Sequence, residues 1–128
     1  MIEFSTRFLS EIAAPPLAPL DQPIDVNHLA RMTLGDPLLE REVLQLYDRQ
    51  ATMLLARMRQ TIPAVIAASA HTIKGSSRGI GAWRVAREAE AVELAATENG
   101  AELQGAIDRL ALSINEARLV ITDLLRAH

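Results

Sequence analysis

From Glu102 to about Arg126, the apolar residues Leu103, Ile107, Leu110, Ile114, Ala117, Ile121 and Leu124 recur every three or four positions. This spacing lines one face of a helix with about 3.6 residues per turn, and strand alternation cannot produce it. So continuous a stripe must be covered by other helices, which constrains the rest of the chain. Earlier segments answer the demand. Residues 37 to about 60 carry a second stripe, Leu39, Val43, Leu46, Tyr47, Leu54 and Met58, with Glu40, Arg41, Asp48, Arg49, Arg57 and Arg59 around it. Thr61 and Pro63 open a third helix, whose end Gly79 and Gly81 bracket, and residues 82 to about 99 form a fourth, closed by Gly100. Asp25 caps a short helix running to Met32 or Leu34; Gly35 stops it, and Asp36-Pro37 supplies a cap and a first-turn proline for the next. The pattern predicts an all-α fold: an antiparallel four-helix bundle with a short extra N-terminal helix, occupying residues 25–128.

Composition agrees with that fold. Apolar residues make up 49% of the 128 but aromatics only 3%, so the core is aliphatic and alanine-rich, as closely packed helices require. A net charge of -3 provides no basic field for nucleic acid or an anionic membrane surface. With no cysteine there is no disulfide framework, thiolate nucleophile or cysteine-ligated metal. No run of about eighteen apolar residues is present to span a bilayer. Residues 1–14 place Ile2, Phe4, Phe8, Leu9 and Ile12 at helical spacing, interrupted by Glu3, Arg7 and Glu11, unlike a signal peptide, so a cytoplasmic protein is expected. Pro15, Pro16, Pro19 and Pro23 make the following stretch an extended connector. Residues 1–24 thus read as a separate segment, either an amphipathic piece folded back on the body or a free, partner-docking arm.

The third helix holds a histidine in an unusual setting. At about 100° per residue, Lys74, Gly75 and Arg78 fall within roughly 60° of His71, as do Ala64, Ala67 and Ala68 one and two turns earlier. The opposite side carries Val65, Ile66, Ser69, Ile73, Ser76 and Ile80, a face suited to packing, so the imidazole is aimed outwards. A neutral imidazole is a nucleophile near pH 7, and phosphate on its nitrogen is held by a labile P–N bond. Lys74, one turn along, is placed to set an ammonium against phosphoryl oxygens. Gly75 costs its helix about 1 kcal/mol relative to Ala, so it needs a reason: room beside the ring for an approaching partner, or close helix packing. The docking surface is expected to be the small-residue stripe Ala64, Ala67, Ala68 and Gly75, with Arg78 either adding positive charge or simply solvated. Ser76 and Ser77 read as packing residues, since the motif offers no acidic partner for a triad. Trp83 reads as core or as a contact anchor. Glu88, Glu90 and Glu93 read as a solvated charged face, and His28 and His128 have no ligand-like spacing, which leaves no metal site.

The order His71, Lys74, Gly75, Ser76, followed by Ile80-Gly81-Ala82, resembles the signature of histidine-containing phosphotransfer (HPt) domains. The resemblance runs from about Asp25 to Leu125 and includes Tyr47, where an aromatic is usual, and Val92-Glu93, where Leu-Glu is common. It implies a stand-alone carrier that takes a phosphoryl group on His71 from an aspartate of one receiver domain and gives it to an aspartate of another. The implied partners are response-regulator receiver domains and a hybrid sensor histidine kinase. The chain would be a monomer without its own cofactor or kinase activity, the receivers bringing Mg²⁺. No Gly-rich phosphate loop of the P-loop type is present. Two other readings are a dimerising phosphoacceptor domain of a sensor kinase and a helical adaptor without phosphotransfer. The first usually has an acidic residue after the histidine and then a proline; here Thr72 follows, and no proline comes after Pro63.

Overall fold

The computed structural model describes residues 22–98 and 100–127. The amphipathic stretch 1–14 and most of the proline-rich connector lie outside the described residues. Five helices follow in order: α1 (Val26–Met32), α2 (Pro37–Met58), α3 (Pro63–Ile80), α4 (Trp83–Thr97) and α5 (Leu103–Arg126), with no strand among the described residues. No described helix is long and apolar enough to cross a membrane.

Local chemistry sets the boundaries. Asp25 starts α1 by accepting a hydrogen bond from the main-chain N–H of His28 at 3.1 Å. Two residues with positive φ, Leu34 at 57° and Gly35 at 69°, stop α1 and turn the chain. Asp36 then accepts from the N–H groups of Leu38 and Leu39, and Pro37 occupies the first turn of α2, where its missing N–H has no cost. α3 begins at Pro63 in the same way, although its cap residue Ile62 makes no side-chain bond.

Contacts join α2 to α3, α3 to α4, α4 to α5 and α5 back to α2, while α1 packs on α3. The enclosed core is built from small and aliphatic side chains: Ala51, Ala70, Ala89 and Ala117 are almost wholly buried among Leu44, Ile73, Val92, Leu110 and Ile114. Alanine at these positions lets the helix backbones approach closely. Polar ties hold the outer edges of the ring. Arg118 Nε donates to Asp48 at 2.6 Å, Arg41 to the carbonyl of Leu125 at 2.9 Å, and Arg84 to Glu116 at 2.6 Å.

Two apolar faces read from sequence need correction. On α2, Leu46 is 60% exposed and Leu39 is also exposed, whereas Leu44 and Ala51 are buried with Tyr47 and Met58. The helix is turned so that the Leu44 side meets the ring, leaving Leu39 and Leu46 outside while Val43 and Leu54 pack against the core's edge. On α3, Ser77 rather than Ser76 is fully buried. Its hydroxyl pairs with the Tyr47 hydroxyl at 2.8 Å, which satisfies both groups in the core. Burial pushes the Tyr47 phenol well above its ordinary value, so it stays neutral.

The corner between α3 and α4 is the tightest junction. Gly81 ends α3 in the left-handed region at φ 84°, and a Cβ placed there would lie 2.8 Å from the carbonyl oxygen of Asp25. Asp25 is held at this place by three bonds. Its N–H donates to the Gly81 carbonyl at 2.9 Å, and its carboxylate accepts from the Trp83 indole at 3.0 Å and from His28. Trp83 is buried, which settles its role as core, and faces His28 at 4.8 Å between ring centroids. Gly79, two residues earlier, is ordinary helix, and a Cβ added there would meet nothing within 4 Å. Gly79→Ala is therefore expected to be neutral or to stabilise by up to about 1 kcal/mol, and Gly81→Ala to destabilise by about 2 kcal/mol or more. Urea unfolding of the two variants checks this, and equal effects would contradict the account of the corner.

Candidate functional site: a histidine, a lysine and a shared glutamate

α4 turns back along α3 after Gly81, and the pairings across the two helices record it. Arg78 meets Glu90 at 3.3 Å near the corner. Farther from it, His71 and Lys74 both meet Glu93. His71 Nδ1 lies 3.0 Å from Glu93 Oε2, and Lys74 Nζ donates to Glu93 Oε1 at 2.8 Å. One carboxylate thus serves an imidazole and an ammonium with its two oxygens.

Exposure differs sharply within the trio. The His71 side chain is 68% exposed, whereas Lys74 is only 16% exposed along its length and Glu93 28%. Lys74 therefore lays its methylenes on the bundle and offers its charged end to Glu93. The Lys74 hydrogen bond, the largest cause, holds the Glu93 carboxyl below its ordinary value, with the His71 hydrogen bond adding to the effect against partial burial. Glu93 is consequently ionised at neutral pH. A carboxylate can only accept, so the neutral imidazole facing it carries its proton on Nδ1 and its lone pair on Nε2.

Small side chains surround the ring. Ala64, Ala68 and Gly75 are exposed or half-buried and Ala67 is half-buried, so the small-residue stripe is a low surface beside His71. A Cβ on Gly75 would meet nothing within 4 Å. Close packing therefore does not require glycine at this position. Arg78 is half-buried and paired with Glu90, neither freely solvated nor free to reach His71. On the flank towards α2, Ser76 donates to Gln50 at 2.7 Å. His28 is unlike His71: buried, with Nε2 bonded to the Arg78 carbonyl at 3.0 Å, it joins α1 to the end of α3. His128 lies outside the described residues.

Sequence reasoning missed the part played by Glu93, which it placed on a solvated face with Glu88 and Glu90. The signal lay in the corner. In a helical hairpin with so short a turn, residues equally far before and after it come level, and Glu93 stands about as far beyond Gly81 as His71 stands before it. Gln50 carried no such signal, because its partner Ser76 belongs to the other neighbouring helix.

No curated protein and no solved structure matches the chain. The family model described as Hpt domain matches residues 42–126, from within α2 to the last residue of α5. That span covers more than half of the sequence and includes His71, Lys74 and Glu93, and on it the chain belongs to the Hpt domain family.

Proposed function

We propose that this chain is a phosphoryl carrier of a cytoplasmic phosphorelay, acting as a monomer, with His71 as the residue that holds the phosphate. Hpt domains serve histidine phosphotransfer in two-component signalling, as carriers and not kinases. The observation that carries the assignment is the bond from His71 Nδ1 to the ionised Glu93 on a ring that remains largely exposed. The bond fixes the tautomer in which Nε2 is the nucleophile.

In the forward step the Nε2 lone pair attacks the phosphorus of a receiver's aspartyl phosphate. The P–N bond forms as the bond from phosphorus to the aspartate oxygen breaks, and the aspartate leaves as a carboxylate without needing a proton. Positive charge develops on the ring, whose proton stays on Nδ1 against Glu93. The reverse step, on a second receiver, returns the ring to its starting tautomer. Mg²⁺ would come with the receiver, which holds the other end of the phosphoryl group. Lys74 supplies positive charge beside the ring and, through its bond to Glu93, lowers that carboxyl's value further and orients it. The closed ring of contacts among α2 to α5 and the short connectors support an antiparallel four-helix bundle as the scaffold. The stripe Ala64, Ala67, Ala68 and Gly75, with Arg78 at its rim, would be the surface on which a receiver closes.

Labelling from a phosphorylated receiver tests the assignment. His71→Gln should keep the fold and take up no acid-labile, alkali-stable phosphate; uptake at the wild-type level would overturn the reading. Glu93→Gln and Lys74→Ala should both still be labelled, with rates lower by on the order of 10 to 1000-fold, and Lys74→Arg should recover part of the loss. Ala67→Trp should slow transfer without lowering stability, and an unchanged rate would place docking elsewhere.

The trio also predicts a pH dependence. A carboxyl whose folded value is depressed stabilises the fold above its ordinary value, near 4.5 here, and the contribution disappears as pH falls through the folded value. The stability difference between the wild type and Glu93→Gln should therefore be present at pH 7 and fade as pH falls below the ordinary value of 4.5 and through the lower folded one. The Glu93 carboxyl resonance should titrate below 4.5 in the wild type and move back towards it in Lys74→Ala.

A further inference from the structure

The bond that orients His71 also bears on how a phosphoryl group would leave it. An imidazole phosphorylated on Nε2 exists in two forms, with and without a proton on Nδ1. With the proton, cleavage of the P–N bond returns the electron pair to Nε2 and releases neutral imidazole. Without it, the same cleavage has to expel an imidazolate anion, a far poorer leaving group. Loss of the Nδ1 proton to water therefore locks phosphate on a ring, and its retention keeps the phosphate transferable. Imidazoles exchange protons with water at about pH 6 to 7, so a ring without help passes from the transferable form to the locked one within the physiological range.

In this chain the Nδ1 proton has an acceptor in place. Glu93 Oε2 stands 3.0 Å from Nδ1, while Lys74 holds the other oxygen at 2.8 Å, so the carboxylate is positioned by a group other than the ring it serves. A hydrogen bond between a cationic ring and a carboxylate is roughly twice as strong as one between neutral groups, so this contact favours the protonated form of a phosphorylated ring. The remaining charges nearby are engaged elsewhere or exposed. Arg78 is tied to Glu90, and His28 of α1 reaches only the Arg78 carbonyl. On the α2 side stand the uncharged Gln50, bonded to Ser76, and the exposed Arg57. Lys74 shares the carboxylate and offsets part of its pull, but among the described residues Glu93 alone is bonded to the ring.

We propose that Glu93 governs release: its carboxylate holds the proton on Nδ1 of the phosphorylated ring and so keeps the phosphoryl group of His71 transferable above neutral pH. Glu93 is then a positioning residue for the outgoing step, acting through the ring. In that step an oxygen of the accepting aspartate attacks phosphorus and the P–N electron pair returns to Nε2. The Nδ1 proton stays against Glu93, and neutral imidazole is restored with no proton taken from water. This role of Glu93 rests on the phosphocarrier reading of His71 and adds to it a control on how long the load is held.

Loading with phosphoramidate, a small phosphodonor to histidine, tests this without a protein partner. The wild type and Glu93→Gln are loaded, and ³¹P resonances follow the loss of phosphate to water from about pH 5.5 to about pH 8.5. The two proteins should match at the acid end, where water supplies the Nδ1 proton. At the alkaline end Glu93→Gln should release phosphate about tenfold more slowly, as the loss of one charge-assisted hydrogen bond predicts. The ¹⁵N resonance of Nδ1 should show the protonated phosphorylated ring persisting to higher pH in the wild type than in the variant. Identical pH profiles would overturn the proposal. So would a constant offset at every pH, which is what a merely structural loosening of α4 against α3 would give. If the wild type takes no label on His71, with His71→Gln as the reference, the phosphocarrier reading falls and this role with it; loading with identical profiles removes this role alone.

Discussion

Asp25 closes against the α3–α4 corner, and much of the molecule depends on that contact. Gly81 adopts a left-handed conformation, and the Asp25 backbone occupies the space where a side chain would project. The same aspartate caps α1, receives the indole of Trp83 and binds the carbonyl of Gly81. One residue therefore fixes α1, the end of α3 and the start of α4 together. The sharp turn in turn sets the level at which α4 passes α3, and this is what brings Glu93 to His71 and Lys74. The trio is a consequence of backbone geometry several residues away.

The proposed chemistry at the site needs only ordinary groups. An exposed histidine alone exchanges its proton between two nitrogens and offers a nucleophile at either. Bonding Nδ1 to an ionised carboxylate favours one tautomer and, in the proposed function, would provide a counter-charge for a phosphorylated ring. The Lys74 hydrogen bond is the largest cause of the lowered Glu93 value and holds the carboxylate against α3. Gly75 weakens α3 by about 1 kcal/mol relative to Ala and fills no packing need; in the proposed function it leaves room beside the ring for a receiver.

The helices were legible because their signals are local: Asp36-Pro37, Pro63 and Gly81 mark boundaries that the structure places within a residue or two. The long apolar row on α5 was equally clear, with Ile107, Leu110, Ile114, Ala117 and Ile121 all buried. The row on α2 was right at Val43, Tyr47, Leu54 and Met58 but wrong at Leu39 and Leu46, because apolar residues ring much of that helix and only the neighbouring helices decide that Leu44 and Ala51 face in. His71 and its small-residue stripe could be read from helical spacing within α3. Glu93 could not be paired with them without the exact level of α4 against α3, which depends on the conformation of Gly81. Buried Ser77 and its bond to Tyr47 likewise needed the third dimension.

The claim on which the account turns is that Glu93 directs the chemistry to one nitrogen of one histidine. It is tested most directly by phosphorylating ¹⁵N-histidine-labelled protein from a phosphorylated receiver and reading the ³¹P–¹⁵N coupling. The account predicts a single phosphoramidate, on Nε2 of His71, with the proton retained on Nδ1. Coupling to Nδ1 of His71, or phosphate on His28, His128 or a carboxylate, would contradict it.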